Sequence, residues 1–279
     1  MMNAYESEKL GCEPRGLHSI IDVIGDDCFG KELLLFLNDV CGADHCAVFQ
    51  IESAQPVKLA VASLDDSDTA ERCTNAYIES GLWQRDPTMT AARFTFNHVH
   101  PSLIRMDIQS LEDPELRSKI YSHMGQRLLL CGRSAVGHVA LSVLHSVERG
   151  DFAEDAIANL EALASPLLSI LGKHASALWQ RRLLFESLNS LEAIEACVAK
   201  SPDGLPRREA QVCSRILYGM SSLGISLELG VSEETVMTYR KRVYHRLNIA
   251  TQRELLMWYV SLWSVGTTMP RRSPASYAR

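Results

Sequence analysis

The sequence predicts two domains of different fold class: an α+β domain built as an α-β-α sandwich, followed by an all-α module of four helices. Three observations support this division. The chain has 279 residues, more than one core of ordinary size requires. Strand-like and helical patterns alternate up to about residue 198, and only helical patterns occur beyond residue 206. Between them, the segment AKSPDGLP (199–206) holds two prolines and an Asp-Gly pair, which indicate a linker.

The overall composition is typical of a soluble globular protein, with 28 Lys and Arg against 34 Asp and Glu. No stretch approaches the roughly 18 uninterrupted apolar residues of a spanning helix, and the first 16 residues lack a basic segment followed by an apolar run. Eight cysteines without a Cys-x-x-Cys pair argue against disulfides and structural zinc. We therefore expect a cytoplasmic protein with no membrane association, metal or cofactor.

The elements of the first domain follow from hydrophobic periodicity. Segments with apolar residues three or four apart predict helices at 31–42, 68–81 and 114–125. Segments rich in alternating, β-branched or aromatic residues predict strands at 45–51, 57–64, 126–134 and 137–146. A short connection containing glycine separates the last two strands and indicates a hairpin. Strand pairs flanked by helices are typical of α-β-α sandwiches that sense small molecules.

A helical connector follows from Asp151 to Cys197, with an interruption near Ser165, where the adjacent proline can begin a second helix. Its apolar positions outnumber those that one domain would cover, so we expect a homodimer in which these helices pair. They are Leu167, Leu171, Leu178, Leu184, Leu188 and Leu191. The predicted boundaries are 1–198 for the first domain with its connector, 199–206 for the linker, 207–265 for the helical module and 266–279 for a tail.

The helical module begins with two short helices, at 207–219 and 221–230, each of which ends on glycine. Ser232 is placed to cap a third helix that runs to about Leu247, and Glu233 and Glu234 in its first turn suit the positive end of the helix dipole. A turn of only three residues, Gly-Val-Ser, joins the second helix to the third. This arrangement predicts a helix-turn-helix.

The third helix has two different faces. Val236, Tyr239, Val243 and Leu247 recur at spacings of three and four and form the predicted buried stripe. The opposite face is polar and cationic, and its members, with the flanking arginines, are Glu234, Thr238, Lys241, His245, Arg240, Arg242 and Arg246. Such a face can enter the DNA major groove. The alternative is a solvated amphipathic helix whose charges only keep the module soluble.

Charge is unevenly distributed along the chain. From Leu205 onward there are 11 Lys and Arg against 5 Asp and Glu, a net charge of +6. The preceding 204 residues hold 17 against 29, a net charge of −12. An acidic chain that ends in a basic module is expected of a nucleic-acid-binding unit fused to another domain.

Residues 205–263 resemble the LuxR-type helix-turn-helix family. The resemblance lies in LPRREAQV (205–212), in Gly219 and Ile225, in LGVSEETV (229–236) and in VYHRLNIATQRELLMWYV (243–260). It implies that the third helix contacts bases and that the fourth, within Arg253 to Trp263, dimerises. The DNA-binding residues that it implies, together with the charges on the face, are Ser232, Thr235, Thr238, Arg240, Lys241, Arg242 and Arg246.

This module departs from the family at several positions. Met237 stands where the family usually has lysine, Tyr239 replaces a frequent histidine, and Leu223-Gly224 replaces a charged pair in the second helix. Because the first two substitutions fall on the recognition helix, the operator sequence does not carry over from relatives.

A second resemblance links the first domain to the autoinducer-binding domains of quorum-sensing LuxR-type regulators. In YIESGLWQRDPT (77–88), Asp86-Pro87 follows Tyr77 by nine positions, as in that family. The resemblance implies that Tyr77, Trp83 and Asp86 line a ligand site, with an acyl-homoserine lactone among the candidate ligands. Strand residues Val48, Leu59 and Leu141 are the expected apolar walls of this cavity.

This first domain also departs from its family. Cys73 replaces a family tryptophan, and the second tryptophan is absent between Thr88 and Tyr121. A related fold and pocket are therefore better supported than the same ligand. The alternative is that Tyr77 and Trp83 are core aromatics and that Asp86 caps a helix.

Together these observations predict a transcriptional regulator. We expect a homodimer that binds double-stranded operator DNA, with binding modulated by a small molecule in residues 1–198; an activator would also contact RNA polymerase. The rival hypothesis is an interaction protein whose helical module no longer reads DNA specifically and pairs with other regulators. An enzyme is not expected, because GRSAVG (132–137) misses the nucleophile-elbow spacing and no phosphate-binding loop or His-Glu-x-x-His motif occurs.

Overall fold

The computed structural model describes residues 16–51, 55–96, 98 and 100–266. The chain divides into two compact units, residues 1–179 and 180–279, called here the first and second unit. The helices and strands of the first unit, the last helix of which crosses the division, are α1 (Leu17–Asp22), α2 (Phe29–Cys41), β1 (His45–Ile51), β2 (Pro56–Ser63), α3 (Thr69–Glu79), α4 (Pro87–Thr95), β3 (Ser102–Asp107), β4 (Met124–Ser134), β5 (Gly137–Ser146), α5 (Glu154–Ala162) and α6 (Ala164–Asn189).

The strands described form one antiparallel sheet in the order β2-β1-β5-β4-β3. In β1, Val48 packs into a core with α1, α2, α5 and α6, whereas its neighbours Ala47 and Phe49 pack into a second core with α3 and α4. Successive side chains of a strand point to opposite faces, so a sheet with helices on both sides becomes apolar on both. The predicted α-β-α sandwich is therefore confirmed.

Two local expectations in the first unit differ from the structure. The helix expected over 114–125 shortens to a single wide turn at Leu116–Ile120 before β4 begins. Strand β3 has no counterpart in the sequence prediction, because it is a half-exposed edge strand without a clear apolar alternation.

The connector is interrupted at Leu163 and again at Ser190, so the proline at 166 lies in the first turn of α6. The prediction that the six leucines of the connector pair across a homodimer is partly wrong, because Leu167 and Leu171 are fully buried in the core of the first unit. Leu188 packs against the core of the second unit. Leu178 and Leu184 are half-buried, and Phe185, which the sequence prediction did not include, is 70% exposed.

The second unit contains, after the end of α6, α7 (Leu191–Val198), α8 (Arg207–Leu217), α9 (Ser222–Leu229), α10 (Glu233–Arg246) and α11 (Gln252–Gly266). Helices α8 to α11 form the predicted four-helix module. Helix α7 belongs to the same body, because Ile194 and Val198 are buried with Val212 of α8 and Tyr259 of α11. The compact second unit therefore begins upstream of residues 199–206.

None of the helices in the described ranges is both long enough and apolar enough to span a membrane. Within the same ranges, no three His, Cys, Asp or Glu side chains cluster in a way that would hold a metal ion.

Candidate functional site

The turn before α10 sets the position of the predicted recognition helix. Gly230 ends α9 in the left-handed conformation, with φ 65°, a conformation that costs glycine little. Two residues later, the hydroxyl oxygen of Ser232 accepts a hydrogen bond from the backbone N–H of Thr235 at 3.2 Å. This cap satisfies one of the unpaired N–H groups at the start of α10. The tight turn and the cap together form the predicted helix-turn-helix.

One face of α10 holds the helix in the module. Val236 and Val243 are buried in the core of the second unit, together with Tyr244, which the sequence prediction missed. Tyr239 and Leu247 are only half-buried. The apolar spacing therefore located the packed face, and the buried tyrosine widens it.

The other face of α10 is open to solvent. Thr238, Lys241 and Arg242 are exposed, as are Glu234 and His245 on the same side. The hydroxyl of Thr238 donates to the backbone carbonyl of Glu234 at 2.9 Å, which restrains its side chain. A polar, cationic surface thus runs along α10 as the sequence predicts.

Two arginines of α10 lie against tyrosine rings of the same helix. The guanidinium of Arg240 lies 5.0 Å from the ring centroid of Tyr244. Arg242 lies 5.9 Å from the ring of Tyr239. These distances are in the cation–π range.

Arg246 links α10 to α8. Its Nε donates to Oε2 of Glu209 at 3.3 Å, and the Glu209 side chain is almost fully buried. Arg246 is therefore partly a structural residue, a role that the sequence did not reveal.

Two of the substituted positions of the module, Met237 and Leu223, lie on its surface, whereas Tyr239 is half-buried. Met237 is 41% exposed, and its sulfur is 3.8 Å from the hydroxyl of Ser222 in α9. On α9, Leu223 and Leu227 are exposed, the latter by 75%. These three apolar side chains are exposed on the outer surface of the helix-turn-helix.

In the first unit, the predicted Tyr77–Asp86 pair is in direct contact. The Tyr77 hydroxyl donates to Oδ2 of Asp86 at 2.8 Å, and Asp86 is 0% exposed. Asp86 also caps α4, because its Oδ1 accepts from the backbone N–H of Thr88 at 2.8 Å and of Met89 at 3.4 Å. The Thr88 hydroxyl donates to the same oxygen at 2.6 Å. The spacing therefore found a real pair, and Asp86 has the capping role of the alternative interpretation.

Arg127 of β4 completes this cluster, and the sequence analysis missed it. Its Nη1 donates to Oδ2 of Asp86 at 2.5 Å, and that oxygen also accepts from the Tyr121 hydroxyl at 2.8 Å. The same Nη1 lies 2.6 Å from the Tyr121 oxygen, and Nε donates to the Ser142 hydroxyl at 2.8 Å. Arg127 is 1% exposed, so this is a fully buried ion pair. One signal was available: an arginine within an apolar strand requires a buried partner.

The electrostatics of the cluster favour an ionised Asp86. Burial alone raises the pKa of a carboxyl group, but the charge of Arg127 and the hydrogen bonds from Thr88 and the two tyrosines outweigh it and lower the Asp86 pKa to about 2. Burial raises the pKa of Tyr77 and Tyr121 well above the usual value, so both hydroxyl groups keep their protons and donate. The ion pair is therefore stable throughout the neutral range.

A cavity of about 40 Å³ lies beside this cluster, between the sheet and α3. Its lining residues come from β1, α3, the segment before β4, β4 and β5; they include Ala47, Phe49, Cys73, Thr74, Tyr77, Ile120, Tyr121, Met124, Arg127, Ser142 and Leu144. Asp86 and Trp83 are not among them. Trp83 instead packs in the core under the guanidinium of Arg93, 4.8 Å away.

The expected walls Val48, Leu59 and Leu141 are wrong for this cavity. All three side chains pack in the core on the opposite face of the sheet. The strand residues that do line the cavity, such as Ala47 and Phe49, occupy the alternate positions. Val48 and Leu141 lie on strands that do line the cavity, β1 and β5, but point to the other side of the sheet, whereas Leu59 lies on β2, which is not among the lining strands.

Comparison with known proteins gives matches for both units. Residues 203–259 match the family described as "Bacterial regulatory proteins, luxR family". The chain is 30% identical over 162 residues to the "Putative HTH-type transcriptional regulator in exeN 3'region" of Aeromonas salmonicida, covering 53% of this chain and 80% of that protein.

Three solved structures are similar to the chain. The VqsR LBD domain from Pseudomonas aeruginosa is 18% identical, with 58% of this chain and 94% of that chain covered and a TM-score of 0.44. The N-acylhomoserine lactone dependent LuxR-family factor CepR2 from Burkholderia cenocepacia is 14% identical, with coverages of 60% and 94% and a TM-score of 0.40. Escherichia coli SdiA is 15% identical, with coverages of 84% and 89% and a TM-score of 0.36.

Proposed function

Because this chain belongs to the luxR family of bacterial regulatory proteins, a family of DNA-binding regulators and not of enzymes, we propose that it binds operator DNA as a homodimer through α10. The observation that carries the proposal is the exposed face of Thr238, Lys241 and Arg242 on a helix fixed by the Ser232 cap. On this proposal it acts in the cytoplasm, where its DNA lies, and an activator would also contact RNA polymerase.

The chemistry of this face suits the major groove. The lysine Nζ of Lys241 can donate to guanine, the methyl group of Thr238 can contact the thymine methyl, and the Glu234 carboxylate can accept from cytosine. The exposed face of a recognition helix contacts base edges, whereas the hydroxyl groups at its N-terminus and the cations along its flanks can contact phosphates. Ser232, Thr235, Arg240 and Arg246 are accordingly proposed as backbone contacts.

Two apolar surfaces support the proposed homodimer. Phe185 extends from α6 into solvent, and Met257 of α11 is 58% exposed, with Leu256 beside it. The segment Arg253–Trp263 is the one that the family resemblance assigns to dimerisation. A two-fold protein also matches a two-fold DNA site.

The first unit is proposed to modulate DNA binding, with a small molecule as the signal. The cavity beside Tyr77 supports this part of the proposal. A ligand shifts the protein only through different affinities for its two states. The cavity measures about 40 Å³, so it has to enlarge before a ligand as large as an acyl-homoserine lactone can enter.

A second candidate function is an interaction protein that pairs with other regulators. The observation that favours it is the apolar outer surface formed by Met237, Leu223 and Leu227 on the helix-turn-helix. Such a surface suits a protein partner better than the phosphate backbone.

Salt dependence distinguishes the two candidates. A random duplex library selected with the full-length protein supplies the DNA, and fluorescence anisotropy gives the affinity at increasing KCl. Each phosphate contact should contribute about −0.9 to the slope of log affinity against log salt, so four contacts give a slope near −3.6. Arg240→Ala removes one proposed phosphate contact from each protomer of the dimer and should flatten the slope by about 2, whereas exposed Lys119→Ala in the first unit should leave it unchanged. A library that yields no enriched duplex would favour the interaction protein.

A further inference from the structure

Six hydrogen-bond donors of the same chain converge on the Asp86 carboxylate. Oδ2 accepts from Tyr77, Tyr121 and Arg127 at 2.5 to 2.8 Å. Oδ1 accepts two bonds from Thr88 and a longer one from the next backbone N–H. An ionised carboxylate offers about four lone-pair sites, and six donors already approach them. A ligand amide would find no acceptor there.

Arg127 itself is held on both sides. Its Nε is bound to Ser142 of β5 and its Nη1 to Asp86, Thr88 and Tyr121, which belong to segments packed on the sheet. A ligand that displaced this guanidinium would leave it buried without its counter-ion, at a cost of about 100-fold or more in affinity. The arginine is therefore a stable occupant of the polar end of the cavity.

The remaining space is small. Binding sites for drug-sized ligands measure about 300 to 1,000 Å³, whereas this cavity measures about 40 Å³. Such a volume holds about three water molecules. Apart from the polar cluster, its walls are mostly apolar, with Ala47, Phe49 and Leu144 on the sheet side.

We infer that Arg127 is a built-in substitute for a ligand donor at Asp86, so that the first unit reaches its DNA-competent state without a small molecule and rejects amide-bearing ligands. This inference rests on the proposed function, because DNA competence is its readout. It keeps the DNA binding of that proposal and replaces its small-molecule signal with a contact inside the chain, because Asp86 binds Arg127 where a ligand would donate.

The first test uses the full-length wild-type protein from cells grown in minimal medium. Mass spectrometry of the denatured protein should find no stoichiometric small molecule, and the selected duplex should bind with the same Kd, within about 2-fold, with or without N-octanoyl homoserine lactone or octanoylglycerol. Neither compound should raise the melting temperature, whereas a true ligand at about 100 times its Kd should raise it by several degrees.

The outcomes separate the inference from the proposed function. DNA binding that appears only with the lactone, or a lactone that co-purifies, would overturn the inference and leave the proposed function intact. Failure to bind any duplex, with or without either compound, would overturn the proposed function and, because its readout is lost, this inference with it.

The second test removes the occupant. Arg127→Ala should lower the melting temperature of the full-length protein, and methylguanidinium at about 10 mM should restore part of the loss by filling the vacated site. Arg133 is an exposed arginine on the same strand, so Arg133→Ala should leave the melting temperature unchanged, and methylguanidinium should not alter it. Asp86→Asn with Arg127→Ala should not respond either, because the anion is gone.

If Arg127→Ala does not fold, Arg127→Lys, which keeps the positive charge, provides the test instead. Arg127→Lys should fold with a lower melting temperature, since an ammonium group cannot reach Ser142 and Asp86 together. Equal melting of Arg127→Lys and wild type would contradict the inference, as would a folded Arg127→Ala that methylguanidinium does not stabilise.

Discussion

Arg215 of α8 joins Glu195 of α7, with Nη1 donating to the carboxylate at 2.6 Å. Its Nη2 donates to Glu228 of α9 at 2.5 Å, so one guanidinium connects three helices. Burial lowers the pKa of Arg215, but the hydrogen bonds and charges of both glutamates outweigh it and raise that pKa above its usual value. Because α7 is the last helix of the connector, Arg215 links the end of the connector to α9, the helix that precedes the recognition helix.

Arg215→Ala should destabilise the second unit. The arginine is 9% exposed and the two glutamates are about 40% exposed, so the loss should fall between surface and buried pairs, at about 1 to 2 kcal/mol. Hydrogen exchange of α7 peptides measures it directly, since α7 should open more often. Arg207→Ala, an exposed arginine of the same helix, is the matched control and should change nothing. Equal hydrogen exchange of α7 peptides in the two variants would show that Arg215 does not stabilise α7.

Base-reading and phosphate-contacting residues of α10 should behave differently. Lys241→Ala and Thr238→Ala should relax sequence preference, each by about 1 to 3 kcal/mol at one base position. Arg240→Ala should weaken binding to all duplexes similarly. Competition with single-base variants of the selected duplex measures both effects. Unchanged affinity and preference in Lys241→Ala would mean that another face of α10 meets the DNA.

Arg246 should act in two ways, because it contacts Glu209 and is also 45% exposed. Arg246→Ala should lower both the melting temperature and the affinity for every duplex. Glu209→Gln is the matched variant: it removes the ion pair but leaves the DNA-facing cation, so stability should fall and DNA affinity should not. If Glu209→Gln weakens DNA binding as much as Arg246→Ala does, the lost ion pair alone explains the weaker binding, and Arg246 need not contact a DNA phosphate.

Much of the helical module was predictable because its signals are local. Gly230 and Ser232 define the turn through their own backbone and side-chain chemistry, and Val236 and Val243 define the packed face by spacing. The cluster in the first unit was only half predictable. Asp86 follows Tyr77 by nine positions, whereas Arg127 reaches Asp86 from β4, 41 positions further along the chain. The sequence alone gives no register between distant segments.

The side of the sheet on which the cavity lies was missed for a related reason. Alternation in β1 separates Ala47 and Phe49 from Val48, but both sets are apolar because helices cover both faces. With no polar face to mark the outside, nothing in the strand itself identifies which set faces the cavity.

Acid should destabilise the first unit through Asp86. Its pKa is lowered to about 2 in the folded chain from an ordinary 3.8, so the ionised form contributes about 2 kcal/mol that is fully present above pH 4 and is lost as the pH falls toward 2. The groups that face it are Arg127, Tyr77 and Tyr121, none of which titrates in that window. Denaturant unfolding between about pH 2 and 5 should therefore show a steeper decline for wild type than for Asp86→Leu with Arg127→Met. Parallel declines would show that Asp86 does not carry this dependence.

The homodimer should depend on Phe185. Two leucines of the expected stripe are used inside the first unit, so the remaining apolar surface of α6 centres on this side chain, which is 70% exposed. Burying one phenylalanine stabilises by about 1.5 to 3 kcal/mol, and a two-fold interface buries two, so Phe185→Lys should weaken dimerisation by about 100-fold or more. Phe94→Lys in α4 is the matched control, because that phenylalanine is 77% exposed and lies away from α6 in the chain. Sedimentation velocity over a concentration series should show the Phe185 variant dissociating first, with weaker binding to a two-fold duplex. Equal dissociation of the two variants would move the dimer contact to another surface, and α11 with its exposed Met257 would be the next to test.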